Sequence, residues 1–144
     1  MSIRSFVTFC LLTFAFTANA QGGIEFFHGT WAEAKAKAKA EDKLIFVDAY
    51  AEWCGPCKRM SAQTFPDPKA GEFFNPNFIC LKIDMEKEAN MEFATAFPVA
   101  AYPTLMFIDG DGKLSVKQTG ALDVDGLLTF GRKALSKANK WPEL

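Results

Sequence analysis

Trp53-Cys54-Gly55-Pro56-Cys57-Lys58 joins two different kinds of sequence. Before it, Leu44-Ile45-Phe46-Val47 is a short apolar run that reads as a buried strand. After it, residues 58–64 have a helical character. Cys54 is therefore expected at the end of a strand and the start of a helix. Unpaired backbone N–H groups at a helix start favour negative charge, and a thiolate is such a charge. Cys54 is expected to be the exposed, acidic and reactive cysteine of the pair. Cys57, one helical turn further in, is expected to be shielded. A C-x-x-C pair so placed points to thiol–disulfide exchange.

The rest of the chain alternates in the same way. Thr30-Trp31-Ala32-Glu33 has the form of a capping box, predicting a helix to about residue 41. On it Trp31, Ala34 and Ala38 share one face and the lysines face solvent. A strand is predicted over 44–50 and the cysteine-bearing helix over 54–64. Phe65-Pro66-Asp67-Pro68 breaks that helix, because proline disfavours a helical residue before it. A short helix is expected over 67–74, a turn at Asn75-Pro76-Asn77, a strand over 78–84 and a helix over 88–97. Strands over 104–108 and 114–118 flank Asp109-Gly110-Asp111-Gly112-Lys113, whose Asp-Gly steps signal a hairpin. Asp123 can cap a last helix running to about residue 138. This order implies an α/β fold, a central mixed sheet with helices on both faces. No internal repeat or linker divides it.

Residues 1–20 read as a secretory signal peptide. Arg4 is the sole charge, Phe6 to Phe16 is an apolar run broken only by threonines, and Ala18-Asn19-Ala20 is an A-x-A site. That run is well short of the ~20 residues a membrane span needs. Cleavage after Ala20 would leave 21–144 as a single domain, periplasmic or secreted, without stable membrane insertion. Cys10 lies in the leader with no lipobox-like residues ahead of it. Losing Arg4 leaves 15 basic residues against 17 acidic ones, a net charge of −2 in place of −1. No basic surface argues for nucleic acid. Fifteen phenylalanines suggest an aromatic core. Cys54, Cys57 and Cys80 would remain, too few for a disulfide framework in a compartment that permits one.

The run Val47-Asp48-Ala49-Tyr50-Ala51-Glu52-Trp53-Cys54-Gly55-Pro56-Cys57-Lys58 resembles the active-site segment of the thioredoxin family. Ala101-Tyr102-Pro103-Thr104-Leu105 is similar to that family's cis-proline loop, and Gly120-Ala121-Leu122 to the turn before its last helix. The resemblance runs from about Gly29 to Lys137. It implies the thioredoxin fold and a redox-active Cys54–Cys57 disulfide. Cys54 would attack a partner disulfide, and Cys57 would resolve the mixed disulfide. Asp48, six residues before Cys54, would exchange a proton with Cys57 through a water. Pro103 would be cis and, with Tyr102, present a backbone edge to substrate. Trp53, Gly55 and Pro56 would border the same groove, Trp53 shielding the Cys54 thiolate. The family often carries a lysine at the start of the next strand, beside the aspartate. Counting back from Lys82-Ile83-Asp84 puts Cys80 there, so that ion pair is expected to be missing. Cys80 would then lie close to the cysteine pair, as a small core residue in the first instance.

Other chemistries fit less well. Zinc needs about four ligands, and only Cys80 and His28 could join the pair, at no ligand-like spacing. C-x-x-C-H haem attachment fails because residue 58 is Lys. A purely structural disulfide of this span closes too few residues to constrain the chain much. No metal and no cofactor is expected, and His28 is given no role. Gly-Pro between the cysteines resembles reducing thioredoxins. The Trp31 helix and Thr64-Phe65-Pro66-Asp67 resemble secreted bacterial thioredoxin-like proteins. Together these imply an exported protein-disulfide reductase acting on disulfide- or dithiol-containing exported proteins, recharged by a membrane electron donor. An oxidase or isomerase is the alternative within the class. A non-catalytic binding module with the same fold is the alternative outside it.

Overall fold

The computed structural model describes residues 22–139, so the expected leader and its cleavage site lie outside the described residues. Strands β1 (Leu44–Tyr50), β2 (Phe78–Asp84), β3 (Thr104–Ile108) and β4 (Leu114–Thr119) form a mixed sheet in the order β2-β1-β3-β4. β1 runs parallel to β2 and antiparallel to β3, and β3 pairs antiparallel with β4. This is the thioredoxin fold.

Helices cover both faces, which is why β1 is apolar almost throughout rather than alternating. They are α1 (Trp31–Glu41), α2 (Gly55–Arg59), α3 (Pro68–Asn77), α4 (Met91–Ala96) and α5 (Val124–Lys137). Successive strand residues point to opposite faces. Phe46, Cys80, Leu105 and Phe107 therefore pack with Phe74, Leu127 and Phe130 under α3 and α5. Ile45, Val47, Ile79, Leu81, Met106 and Ile108 pack with Ala34, Ala38 and Phe93 under α1 and α4. The first face holds a phenylalanine cluster. Phe107 lies 4.6 Å from Phe78, 5.0 Å from Phe130 and 5.3 Å from Phe46 between ring centroids. Asp48 and Lys82 share the parity of that face, two residues beyond Phe46 and Cys80.

The α1 capping box forms as the sequence predicts. Glu33 N–H donates to Thr30 Oγ1 at 3.2 Å, and Thr30 N–H donates to the Glu33 carboxylate at 2.7 Å. Thr30→Ala is expected to cost about 1 kcal/mol in denaturant unfolding, the usual loss for an N-cap. The hairpin also forms. Asp109 Oδ1 accepts from the N–H groups of Asp111 and Lys113, both at 2.9 Å, and Gly112 takes φ +84°.

Two expectations are corrected. Asn75-Pro76-Asn77 is not a turn but the last turn of α3. Pro76 sits where the helix is about to end, and Asn77 Nδ2 donates to Phe73 O at 2.7 Å. Asn75 instead ties down the N-terminal segment, donating to Gly23 O and accepting from Glu25 N–H. That segment runs beside β2, where Phe26 bridges Cys80 and Phe27 N–H donates to Cys80 O at 2.7 Å. Gly71 permits this course, because a Cβ there would strike the Gly23 carbonyl. The expected helix over 88–97 divides into a 3-10 turn, Glu88–Asn90, followed by α4.

Candidate active site

Four residues separate β1 from α2, and the last is Cys54, the N-cap residue of the helix. Cys54 N–H donates to Ala51 O at 3.1 Å, closing the turn. Pro56 falls in the first helical turn, where its missing N–H would have no helical acceptor. Cys54 and Cys57 are joined by a disulfide, with Cα atoms 5.3 Å apart. Cys57 N–H donates to Cys54 Sγ at 3.2 Å. This donor would favour negative charge on that sulfur once the bond opens.

The expected exposure of Cys54 is not what the structure has. Cys54 is 2% exposed and Cys57 3%. Both pack with Ala51 between Tyr50 and Tyr102. Trp53 is itself 68% exposed. Its indole stands edge-on to Tyr102 at 5.7 Å, and its Nε1 donates to Glu86 at 2.8 Å. The Tyr102–Pro103 peptide is cis. Pro103 is buried, Tyr102 half-buried, Gly55 exposed and Pro56 half-buried. Tyr102 touches both the cysteine cluster and Trp53, so the loop before β3 and the turn before α2 meet.

α2 does not run to Thr64 as one regular helix. From Met60 to Thr64 it widens to a π-turn, with Phe65 N–H donating to Met60 O at 2.9 Å. Such widened turns often occur at functional sites. Ser61 lies on this turn.

Asp48 is 1% exposed, and among the described residues neither carboxylate oxygen has a hydrogen-bond partner. Burial pushes its carboxyl up to about 6, against a smaller opposing pull from Lys82. Lys82 stands opposite Asp48 in the parallel β1–β2 register, with Nζ 3.9 Å from Asp48 Oδ2. The lysine expected to be missing is therefore present. Asp48 and Lys82 are each the fifth residue of a seven-residue strand, and matching the strand positions would have paired them. Cys80 is opposite Phe46 instead. It packs in the phenylalanine cluster, where burial pushes its thiol up, away from reactivity. It does not join the cysteine pair's own cluster.

A cavity of about 540 Å³ is lined by Cys57, Ser61, Lys82, Tyr50 and Glu52, so the second cysteine and Lys82, the partner of buried Asp48, border one space. The arrangement can open and re-form a disulfide while a buried carboxyl trades a proton near neutrality.

The thioredoxin-like family profile matches residues 27–110. The solution structure of a candidate disulphide-isomerase from Bacteroides thetaiotaomicron is 41% identical, with a TM-score of 0.69, and covers 79% of this chain and 94% of that one. A protein disulfide-isomerase from Datisca glomerata is 30% identical over 144 residues, 91% of this chain and 28% of that protein. The thiol:disulfide interchange protein DsbD of Pseudoalteromonas atlantica is 35% identical over 80 residues, 54% of this chain and 13% of that protein. The chain thus spans little more than a quarter of the first of these curated relatives and less of the second.

Proposed function

The chain belongs to the thioredoxin-like family, and we propose that it is an exported protein-disulfide reductase working by dithiol–disulfide exchange. The observation that carries this reading is the Cys54–Cys57 disulfide at the start of α2, with Cys57 and Lys82 on one cavity and the buried Asp48 carboxyl behind Lys82, 3.9 Å from its ammonium. In the reduced protein the Cys54 thiolate attacks one sulfur of a partner disulfide. A mixed disulfide forms and the partner's other sulfur leaves as thiolate. Cys57 passes its proton through a water to the Asp48 carboxylate and attacks Cys54 Sγ. The partner's second sulfur leaves as thiolate; with the proton held by Asp48 and one from solvent the partner becomes a dithiol, two electrons having passed to it, and Cys54–Cys57 is left oxidised. A dithiol on a membrane electron donor would restore the reduced pair. No other cofactor enters this cycle.

Substrate would lie along Tyr102 and Pro103, bordered by Trp53, Gly55 and Pro56. An extended segment of the partner could pair with the backbone edge there. Cleavage after Ala20 would release residues 21–144 as one domain into the periplasm or medium, where exported proteins carry the disulfides acted upon.

Relatives described as disulfide isomerases favour a second reading, isomerase or oxidase. The reduction potential separates the two. Proteins with this site layout span roughly −270 to −120 mV, and this pair is expected below about −200 mV. Equilibration against a glutathione series, followed by thiol alkylation, measures it. A potential near the oxidising end would overturn the reductase reading and favour the second.

A further inference from the structure

Lys82 is held in an unusual setting for the partner of a buried carboxylate. Its ammonium donates to Ser61 Oγ at 2.5 Å but remains 3.9 Å from Asp48 Oδ2. Three rings surround it. Nζ lies 5.0 Å from the Tyr50 centroid, 5.5 Å from Phe65 and 5.7 Å from Phe26. Ring faces attract a cation without supplying an anion. Phe26 arrives on the N-terminal segment, and Phe65 follows the π-turn that carries Ser61. Separate parts of the chain thus converge on one ammonium, and its hydrogen bond goes to the hydroxyl rather than to the carboxylate.

We propose that Ser61 is a positioning residue: by accepting a hydrogen bond from Lys82 it holds the ammonium short of a close ion pair with Asp48. Asp48 thereby remains able to take up and release a proton. The proposal rests on the reading of Asp48 as the proton partner of Cys57. A charge-assisted hydrogen bond between ammonium and carboxylate closes to ~2.8 Å. At an effective dielectric near 20, closing from the present separation to that distance would lower the Asp48 midpoint by on the order of one pH unit. Asp48 would then be a fixed carboxylate, its proton lost well below neutrality.

Other charged groups nearby act as a background common to all variants. Glu52 and Lys58 line the same cavity, both exposed, and Asp84 follows at the end of β2. Tyr50 contributes its ring and Cys57 its sulfur. From β3 the residue opposite Asp48 is Leu105, which carries no charge.

The test is the titration of the Asp48 carboxyl carbon by NMR in the oxidised protein, which does not depend on turnover. Ser61→Ala is expected to lower the midpoint by half a unit or more, about threefold in the proton equilibrium. Ser61→Thr keeps the hydroxyl and is expected to leave the midpoint in place. Lys82→Met is expected to raise it, and adding Ser61→Ala to Lys82→Met should then change nothing. Ser61 is half-buried, so alanine fits without displacing its neighbours. An unchanged or raised midpoint in Ser61→Ala overturns the proposal. So does a lowered midpoint that persists without Lys82. Failure of the exchange reading looks different: the Ser61 shift would be seen in a protein that reduces no disulfide.

Discussion

Cys54→Ser is expected to lower disulfide reduction by roughly a thousandfold or more, the scale of loss when a covalent nucleophile is removed. No other described thiol can replace it. Cys80 is buried in the phenylalanine cluster with its thiol held protonated, and Cys57 is one turn inside the helix. Insulin reduction measures the loss. The companion variant, Cys57→Ser, is expected to accumulate mixed disulfides through Cys54, because the group that releases the partner is gone. Non-reducing electrophoresis after incubation with a disulfide substrate reads this directly. Equal trapping by the two variants would refute the ordered roles. The burial of both cysteines in the oxidised state adds a condition. Partner access requires Tyr102 to yield, or the reduced pair to present Cys54 more openly than the disulfide does.

Asp48→Asn is expected to stabilise the oxidised protein by about 2 kcal/mol more at pH 8 than at pH 4. The sign follows from the direction of the shift. Burial raises the Asp48 carboxyl from 3.8 to about 6, so the folded protein binds this proton more tightly than the unfolded chain does. The favourable contribution is full below the unfolded value. It is lost as pH rises through about 6, and above that the buried charge is a cost. Asparagine carries no charge at either pH, so its advantage appears only where Asp48 is ionised. Urea unfolding at the two pH values measures it, and an equal effect at both would refute the buried-charge account. The same variant should slow exchange near pH 7 by on the order of a hundredfold, at the low end of general acid–base effects. The deficit should shrink at alkaline pH, where water can take the Cys57 proton unaided. A slowing that is the same at every pH would remove Asp48 from the proton path.

Local chemistry determined much of this protein without help from the fold. The apolar run of β1, the Thr30–Glu33 box, the Asp-Gly steps of the hairpin and the Asp123 cap each act over a few residues, and each forms where the sequence has it. The cysteine pair and the cis bond before Pro103 were legible too, through the resemblance of their runs to the thioredoxin family. Long-range placement was not. Lys82 meets Asp48 because β1 and β2 pair in parallel at one register, and counting along a single strand misplaced it by two residues. Asn75-Pro76-Asn77 carries a turn signal, but Asn75 and Asn77 find partners that keep the residues helical. The π-turn that brings Ser61 to Lys82 has no local sequence signal, and Phe26 reaches the same ammonium across more than fifty positions. The burial of Cys54 beneath Tyr102 likewise depends on a loop nearly fifty residues away. Hydrogen bonds within a turn are set by neighbours in the chain. Charge, burial and proton affinity at the candidate site are set by neighbours in space, and those exist only once the sheet has formed.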